Sequence, residues 1–402
     1  MTWKERVVLL ILACLNFTHI LDFMIMMPLG NYLMPHFRIN THFFSLVVAA
    51  YPITAFVSGV IAAFYVDKFD RKKILLNAYI GFIIGTICCG IAPDPYILIG
   101  ARIITGLFGG LIGAQVLSIV ADVFPYEKRG RAMATIFTAF SVASVFGVPF
   151  SLYLANLISW HAPFLFIGIV GIVVIPLIWK FLPSMTSHIV PLGELRYRPD
   201  VRKVLRDMLN NKSQLMALAL SACMMFGHFL IIPFINPYLE FNLGFSKQQT
   251  PMVYMVGGAC TLITSPILGR LADRFGKLRL FVIALLLSLF PIFFITNMQV
   301  IPFVYVLAVY GCWFVFSTGR NIPAQAMIST VVEPAQRGQF MSFNSSFQQL
   351  FTGLASLVAG MIVIEAPDGK IEHYNYVGYL SMIIVAGSLY IGAKLAKRQG
   401  VH

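Results

Sequence analysis

The chain has 402 residues, 58% of them hydrophobic and only 11% charged, with Phe the commonest aromatic at 35 residues and a formal net charge of +13. Soluble domains carry about 25% charge, so this balance excludes an ordinary soluble enzyme and points to a chain that crosses a bilayer many times. The basic excess would suit nucleic acid, but the placement of the basic residues argues against that partner.

Apolar runs recur near 7–34, 44–66, 74–92, 96–123, 132–157, 163–182, 213–239, 249–272, 279–297, 301–331, 338–364 and 374–395. Each is long enough to span a hydrocarbon core of ~30 Å, which predicts twelve transmembrane helices. The first run is too long for a cleaved leader and no small-residue cleavage site follows it, so it is expected to stay as the first span. With the N-terminus inside, 24 of the 29 Lys and Arg fall on the inner loops, three outside (Arg38, Lys247, Lys370) and two within spans (Arg102, Arg320). That is the positive-inside pattern, so both termini are expected in the cytoplasm, in a bacterial inner membrane, with lipid as partner and no nucleic acid. The six cysteines lie within spans and show neither metal-ligand spacing nor a disulfide framework, so no metal or cofactor is expected.

Residues 16–33 of the first run read NFTHILDFMIMMPLGNYL. A carboxylate such as Asp22 inside a bilayer costs at least ~2.5–3.5 kcal/mol and rarely sits there without a partner or a task. The stretch returns 206 positions later, where HFLIIPFINPYL at 228–239 sets His228 against Asp22. The charged loop after the second span, DKFDRKK at 67–73, returns after the eighth as GRLADRFGKLR at 269–279, with Asp67 on Asp273. An Asp there is placed to accept hydrogen bonds from open amides at the start of the following helix. The loop after the fourth span, ADVFPYEKRGRAM, matches STVVEPAQRGQFM at an offset of 208, with Arg129 on Arg337. Three matches in register make two similar halves, 1–183 and 213–402, six spans each, joined by a basic cytoplasmic linker over 184–212. Within the linker, 199–210 reads as an amphipathic helix on the inner leaflet.

GRLADRFGK resembles the signature loop of the major facilitator superfamily; the first-half copy keeps Asp67 and Arg71 but has Ala63 and Asp70 where the loop has glycines. LIGARIITGLFGG, with Arg102 and Gly106, is similar to that superfamily's fourth-helix motif. LDFMIMMPL and SVASVFGVPFS, with Gly147 and Pro149, resemble the first- and fifth-helix motifs of its drug:proton antiporters, the latter in the variant of sugar-efflux permeases. The resemblance implies an all-α membrane protein of two pseudo-symmetric six-helix bundles that moves a small molecule by alternating access, without enzymatic chemistry and with protons as the coupling ion. Its inner loops imply a conformational gate at Asp67, Arg71, Asp122, Arg131, Gly269, Asp273, Arg274, Gly276 and Arg337.

Within the spans, Asp22 and Arg102 lie at similar depth and are expected to pair, either as a helix tie or as a titrating, proton-coupling site. His228, a further proton-coupling candidate, either faces the central cavity opposite Asp22, where its charge would respond to pH, or packs within its own half. Asn16, His19, Met26, Gln115, Asn344, Gln348 and Gln349 are candidate cavity residues, and helix–helix hydrogen bonds explain the amides equally well. Arg320, beside Asn321, binds an anionic substrate group, caps carbonyls freed by Pro323, or snorkels to the surface. The reading that follows is a monomeric proton-coupled exporter of a drug- or sugar-like solute. The rivals are an uptake symporter and a transport-dead receptor on the same scaffold.

Overall fold

The computed structural model describes residues 2–65, 69–124, 126–186, 210–333 and 337–399. In the first half the helices are α1 Trp3–Met26, α2 Gly30–Phe37, α3 Thr41–Tyr65, α4 Arg71–Gly90, α5 Pro95–Val123, α6 Tyr126–Val142, α7 Val148–Leu157 and α8 Ala162–Phe181. In the second half they are α9 Lys212–Phe229, α10 Thr250–Phe275, α11 Lys277–Thr296, α12 Phe303–Ser329, α13 Arg337–Ile362 and α14 Tyr374–Gln399. Among the described residues eleven helical segments are long and apolar enough to cross a membrane. The twelfth span is α13, 26 residues long but enriched in polar side chains such as Asn344, Ser346, Gln348 and Gln349. Most of the expected linker, including 199–209, lies outside the described residues.

Helix breaks follow local chemistry. α1 stops at Met26 and restarts at Gly30 around Pro28, and the equivalent place after α9 is broken by Pro233 and Pro237 into a 3₁₀ turn and a π turn. Between α6 and α7 the chain takes a π turn, Ala143–Gly147, directly before Pro149. Asp94 starts α5 by accepting the amides of Tyr96 and Ile97, with Pro95 at the first helical position. A two-strand hairpin, Ile364–Glu365 against Ile371–Glu372, joins α13 to α14.

In the first half α3 and α4 pack along α5, α4 along α8, and α1 between α6 and α8. In the second half α12 packs between α10 and α11, and α14 between α9 and α11. Two seams join the halves: α3 runs along α13, and α10 crosses the π turn and α7. Apolar side chains such as Leu10, Ile61, Trp179 and Phe290 point outward, as they must where the solvent is lipid.

The loops at the face opposite the termini are sealed across the two halves. Asn236 donates to the Pro28 carbonyl (3.0 Å), Thr41 donates to the Val363 carbonyl (2.7 Å), and Asn31 donates to Glu240 Oε1. The Lys247 ammonium sits 4.3 Å from the Tyr32 ring centroid, and Phe44 meets Phe234 edge-on. Gly30 allows this closure: a Cβ there would lie 2.7 Å from Phe44 and 3.2 Å from Pro237.

Candidate functional site

Asp22 and Arg102 meet as expected. Arg102 Nη1 donates to Asp22 Oδ2 at 2.7 Å, and both residues are fully buried. The other carboxylate oxygen, Oδ1, accepts from Thr86 Oγ1 at 3.1 Å. The Arg102 guanidinium lies 4.7 Å from the Tyr51 ring centroid, and the Tyr51 hydroxyl shares a 2.7 Å hydrogen bond with His19 Nε2. The cluster therefore draws on α1, α3, α4 and α5. It is possible only because α5 comes close to α3: a Cβ on Gly106 would lie 2.4 Å from the Tyr51 carbonyl oxygen, and one on Gly109 would lie 2.5 Å from its hydroxyl. Thr86 and Tyr51 escape a sequence reading because threonine and tyrosine are ordinary residues of apolar spans, with no charge to mark them.

The remaining first-half candidates, Asn16, Met26 and Gln115, are all buried. Asn16 Nδ2 donates to the Ile136 carbonyl at 3.2 Å, joining α1 to α6. Met26 is buried in the hydrophobic core. Gln115 is buried, and its Oε1 makes no hydrogen bond.

The second half holds a different arrangement. His228 stacks on Trp313 with ring centroids 4.7 Å apart and 20° between planes, so it packs within its own half. It also lines a small cavity of about 100 Å³ together with Arg320 and Asn321 of α12 and Phe140, Ser141 and Ser144 of the first half. His228 thus packs within its own half and also borders this cavity, whose lining does not include Asp22. Arg320 is 1% exposed and donates from Nη1 to Ser288 Oγ at 3.1 Å. Asn344, Gln348 and Gln349 are not among the residues lining this cavity. Gln348 Nε2 donates to Ser221 Oγ at 2.7 Å, tying α13 to α9.

The two signature loops differ. Arg71 at the start of α4 pairs with Asp122 near the end of α5 at 2.7 Å. Asp70 caps α4 by accepting the Lys72 amide, and also accepts from Ser184 Oγ (2.6 Å) and the Met185 amide (2.9 Å). Burial alone would raise its pKa; the hydrogen bonds and the Lys73 charge outweigh that and hold the carboxyl below the usual value. The capping expected of the repeated aspartate therefore belongs to Asp70 in the first half, while Asp67 lies outside the described residues. In the second half Asp273 is exposed in the last turn of α10 and makes no hydrogen bond among the described residues, so its expected capping role is not met. There Gly276, at φ 95°, makes the turn that starts α11, a conformation strained for any residue with a Cβ. Gly269 faces open space and Arg274 is exposed, 5.4 Å from the Phe275 ring centroid. The side chains of Arg131 and Arg337 lie outside the described residues.

Two broken-helix bundles with a cavity lined from both, and a buried ion pair in one of them, are the architecture of a polytopic membrane transporter. The chain belongs to the Major Facilitator Superfamily, whose family model matches residues 12–318 and 217–399. It is 25% identical over 358 residues to the inner membrane transport protein YdhP of Escherichia coli O157:H7, covering 88% of this chain and 87% of that protein. It is 23% identical to a probable sugar efflux transporter of Helicobacter pylori over 346 residues, 85% of this chain and 84% of that one. The match to the Bacillus subtilis MFS-type transporter YwfA, 26% identical, covers 65% of this chain and 63% of the relative's length. Among solved structures, the fold matches a D-xylose–proton symporter (TM-score 0.77, 16% identity, 96% of this chain and 97% of that one). It also matches a bacterial homologue of the human lysosomal transporter Spinster in an inward-facing, occupied conformation (TM-score 0.76, 15% identity, 99% and 98%).

Proposed function

We propose that this chain exports a small organic solute in exchange for protons, by rocking its two bundles, 1–183 and 213–402, about the midplane cavity. The observation that carries the proposal is the Asp22–Arg102 pair, fully buried in the state whose face opposite the termini is sealed. A proton delivered to Asp22 when that face opens removes the charge that holds Arg102. The freed guanidinium can then reorient against Tyr51 and Thr86, so protonation alters how α1, α4 and α5 hold together. Discharge to the other side restores the pair. The lysine and arginine distribution supports cytoplasmic termini and a bacterial inner membrane, so the sealed face is the outer one. The sugar-efflux relatives support the outward direction. No metal or organic cofactor enters the cycle, and a monomer suffices for it.

The test uses proteoliposomes with an imposed pH gradient. Asp22→Asn should abolish proton-driven flux while leaving solute exchange. Wild-type gradient-driven flux in that variant would overturn the coupling role. Flux in the same sense as the proton gradient, rather than against it, would make the chain a symporter.

A further inference from the structure

The cavity between the halves holds a cation, Arg320, whose charge no described residue balances. Arg320 stands about nine residues, ~13 Å, from the Ser329 end of α12, and it is 1% exposed. Its one hydrogen bond goes to a neutral hydroxyl, Ser288 Oγ, and its Nε has no partner. Among the described residues no carboxylate pairs with it. The second half's acidic residues stand elsewhere: Glu240, Asp273 and Glu333 lie at helix ends, and Glu365, Asp368 and Glu372 lie in or beside the hairpin. Arginine cannot relieve this by losing its proton, as a buried lysine would. Depth and burial argue against snorkelling, and the bond to Ser288 leaves the carbonyls near Pro323 without the guanidinium.

The surrounding polar atoms are unpaired in the same way. His228 Nδ1, Ser317 Oγ, Thr261 Oγ1 and Asn321 Oδ1, all from residues lining the cavity, are buried without a hydrogen bond. Arg320 Nε is a donor only, so what completes it must accept. Polar groups so arranged inside an otherwise apolar cavity are the signature of a ligand site. Phe140 from the first half and Phe314 from the second supply apolar walls, so an occupant would touch both bundles.

We propose that this cavity takes an organic anion: an acid group held by Arg320 and oriented beside His228, with an apolar body between Phe140 and Phe314. This rests on reading the chain as a carrier and narrows its solute from drug- or sugar-like molecules to organic acids. The acid group supplies the counter-charge that α12 lacks, and contact with both bundles lets its arrival bias their closure.

The full chain in lipid nanodiscs would be challenged with charged and neutral pairs: benzoate against benzamide, glucuronate against glucose, and naphthalene-2-sulfonate against its sulfonamide. Binding would be read by thermal shift and by isothermal titration calorimetry. At least one anion should bind wild type well above its neutral partner. Arg320→Gln should weaken that binding tenfold or more, and Arg320→Lys should recover part of it. Neutral partners binding as well as the anions, an anion affinity indifferent to Arg320→Gln, or no anion binding at millimolar concentration would each overturn the proposal. Should Arg320→Gln fail to assemble, the anion-against-neutral comparison on wild type decides alone. Asp22→Asn separates the two readings. It should bind the anion while losing proton-driven flux, and flux retained there would sink the coupling role without touching the anion seat.

Discussion

The two halves share a topology and handle buried charge in opposite ways. In the first, Arg102 is neutralised by Asp22, and the carboxylate's second oxygen is satisfied by Thr86. In the second, the position matching Asp22 is His228, stacked on Trp313, and the buried cation is Arg320, with no carboxylate partner among the described residues. The first half keeps its charge balance internally, where a proton can upset it. In the second, no described carboxylate completes the balance, and on the proposed reading a bound acid group does so. The two halves thus share a scaffold while their buried arginines have different surroundings.

Stability measurements should break this comparison if it is wrong. Removing one partner of a buried pair typically costs about 3–5 kcal/mol, so Arg102→Gln should be strongly destabilised in thermal or denaturant unfolding. Arg320→Gln removes a charge with no partner and should leave the ligand-free protein unchanged or more stable. Equal destabilisation by the two would mean that Arg320 has a balancing group after all.

A smaller effect is expected at the seal. Asn236→Ala deletes one cross-bundle hydrogen bond to the Pro28 carbonyl, about 1 kcal/mol, which suffices to move a two-state equilibrium roughly fivefold. Single cysteines placed near Tyr32 and Lys247 should label faster in that variant, and unchanged labelling would show that the seal rests on the aromatic contacts alone.

The signature loops give a second, finer contrast. Asp70→Asn weakens the anchoring of Ser184 and Met185 to the start of α4 and should lower the melting temperature at neutral pH. Because the folded carboxyl titrates below its ordinary value, its contribution is present above an unfolded pKa of ~3.9 and is lost as pH falls through the lower folded value. The difference between wild type and Asp70→Asn should therefore shrink below about pH 4. Asp273→Ala, exposed and without a hydrogen bond, should change stability by no more than about 0.5 kcal/mol. A large effect there would reveal a partner in another conformation.

Hydropathy and repetition determined most of the architecture without coordinates. The twelve apolar runs, their topology and the doubled loops follow from the cost of placing polar backbone and charge in hydrocarbon, and that cost is written residue by residue. The same cost marked Asp22, Arg102 and Arg320, since charges are rare in spans. Only the tertiary structure decided what each charge faces. Thr86 and Tyr51 complete the Asp22–Arg102 cluster because Gly106 and Gly109 bring α5 against α3, a matter of helix approach that spacing along one helix does not encode. Asp70, a departure from the loop pattern, became an anchor because Ser184 and Met185 return beside it from more than 110 residues away. Arg320 reads in sequence like any intramembrane arginine. That it lacks a carboxylate partner is a property of its neighbours on α9, α11 and α12, which only their packing brings together.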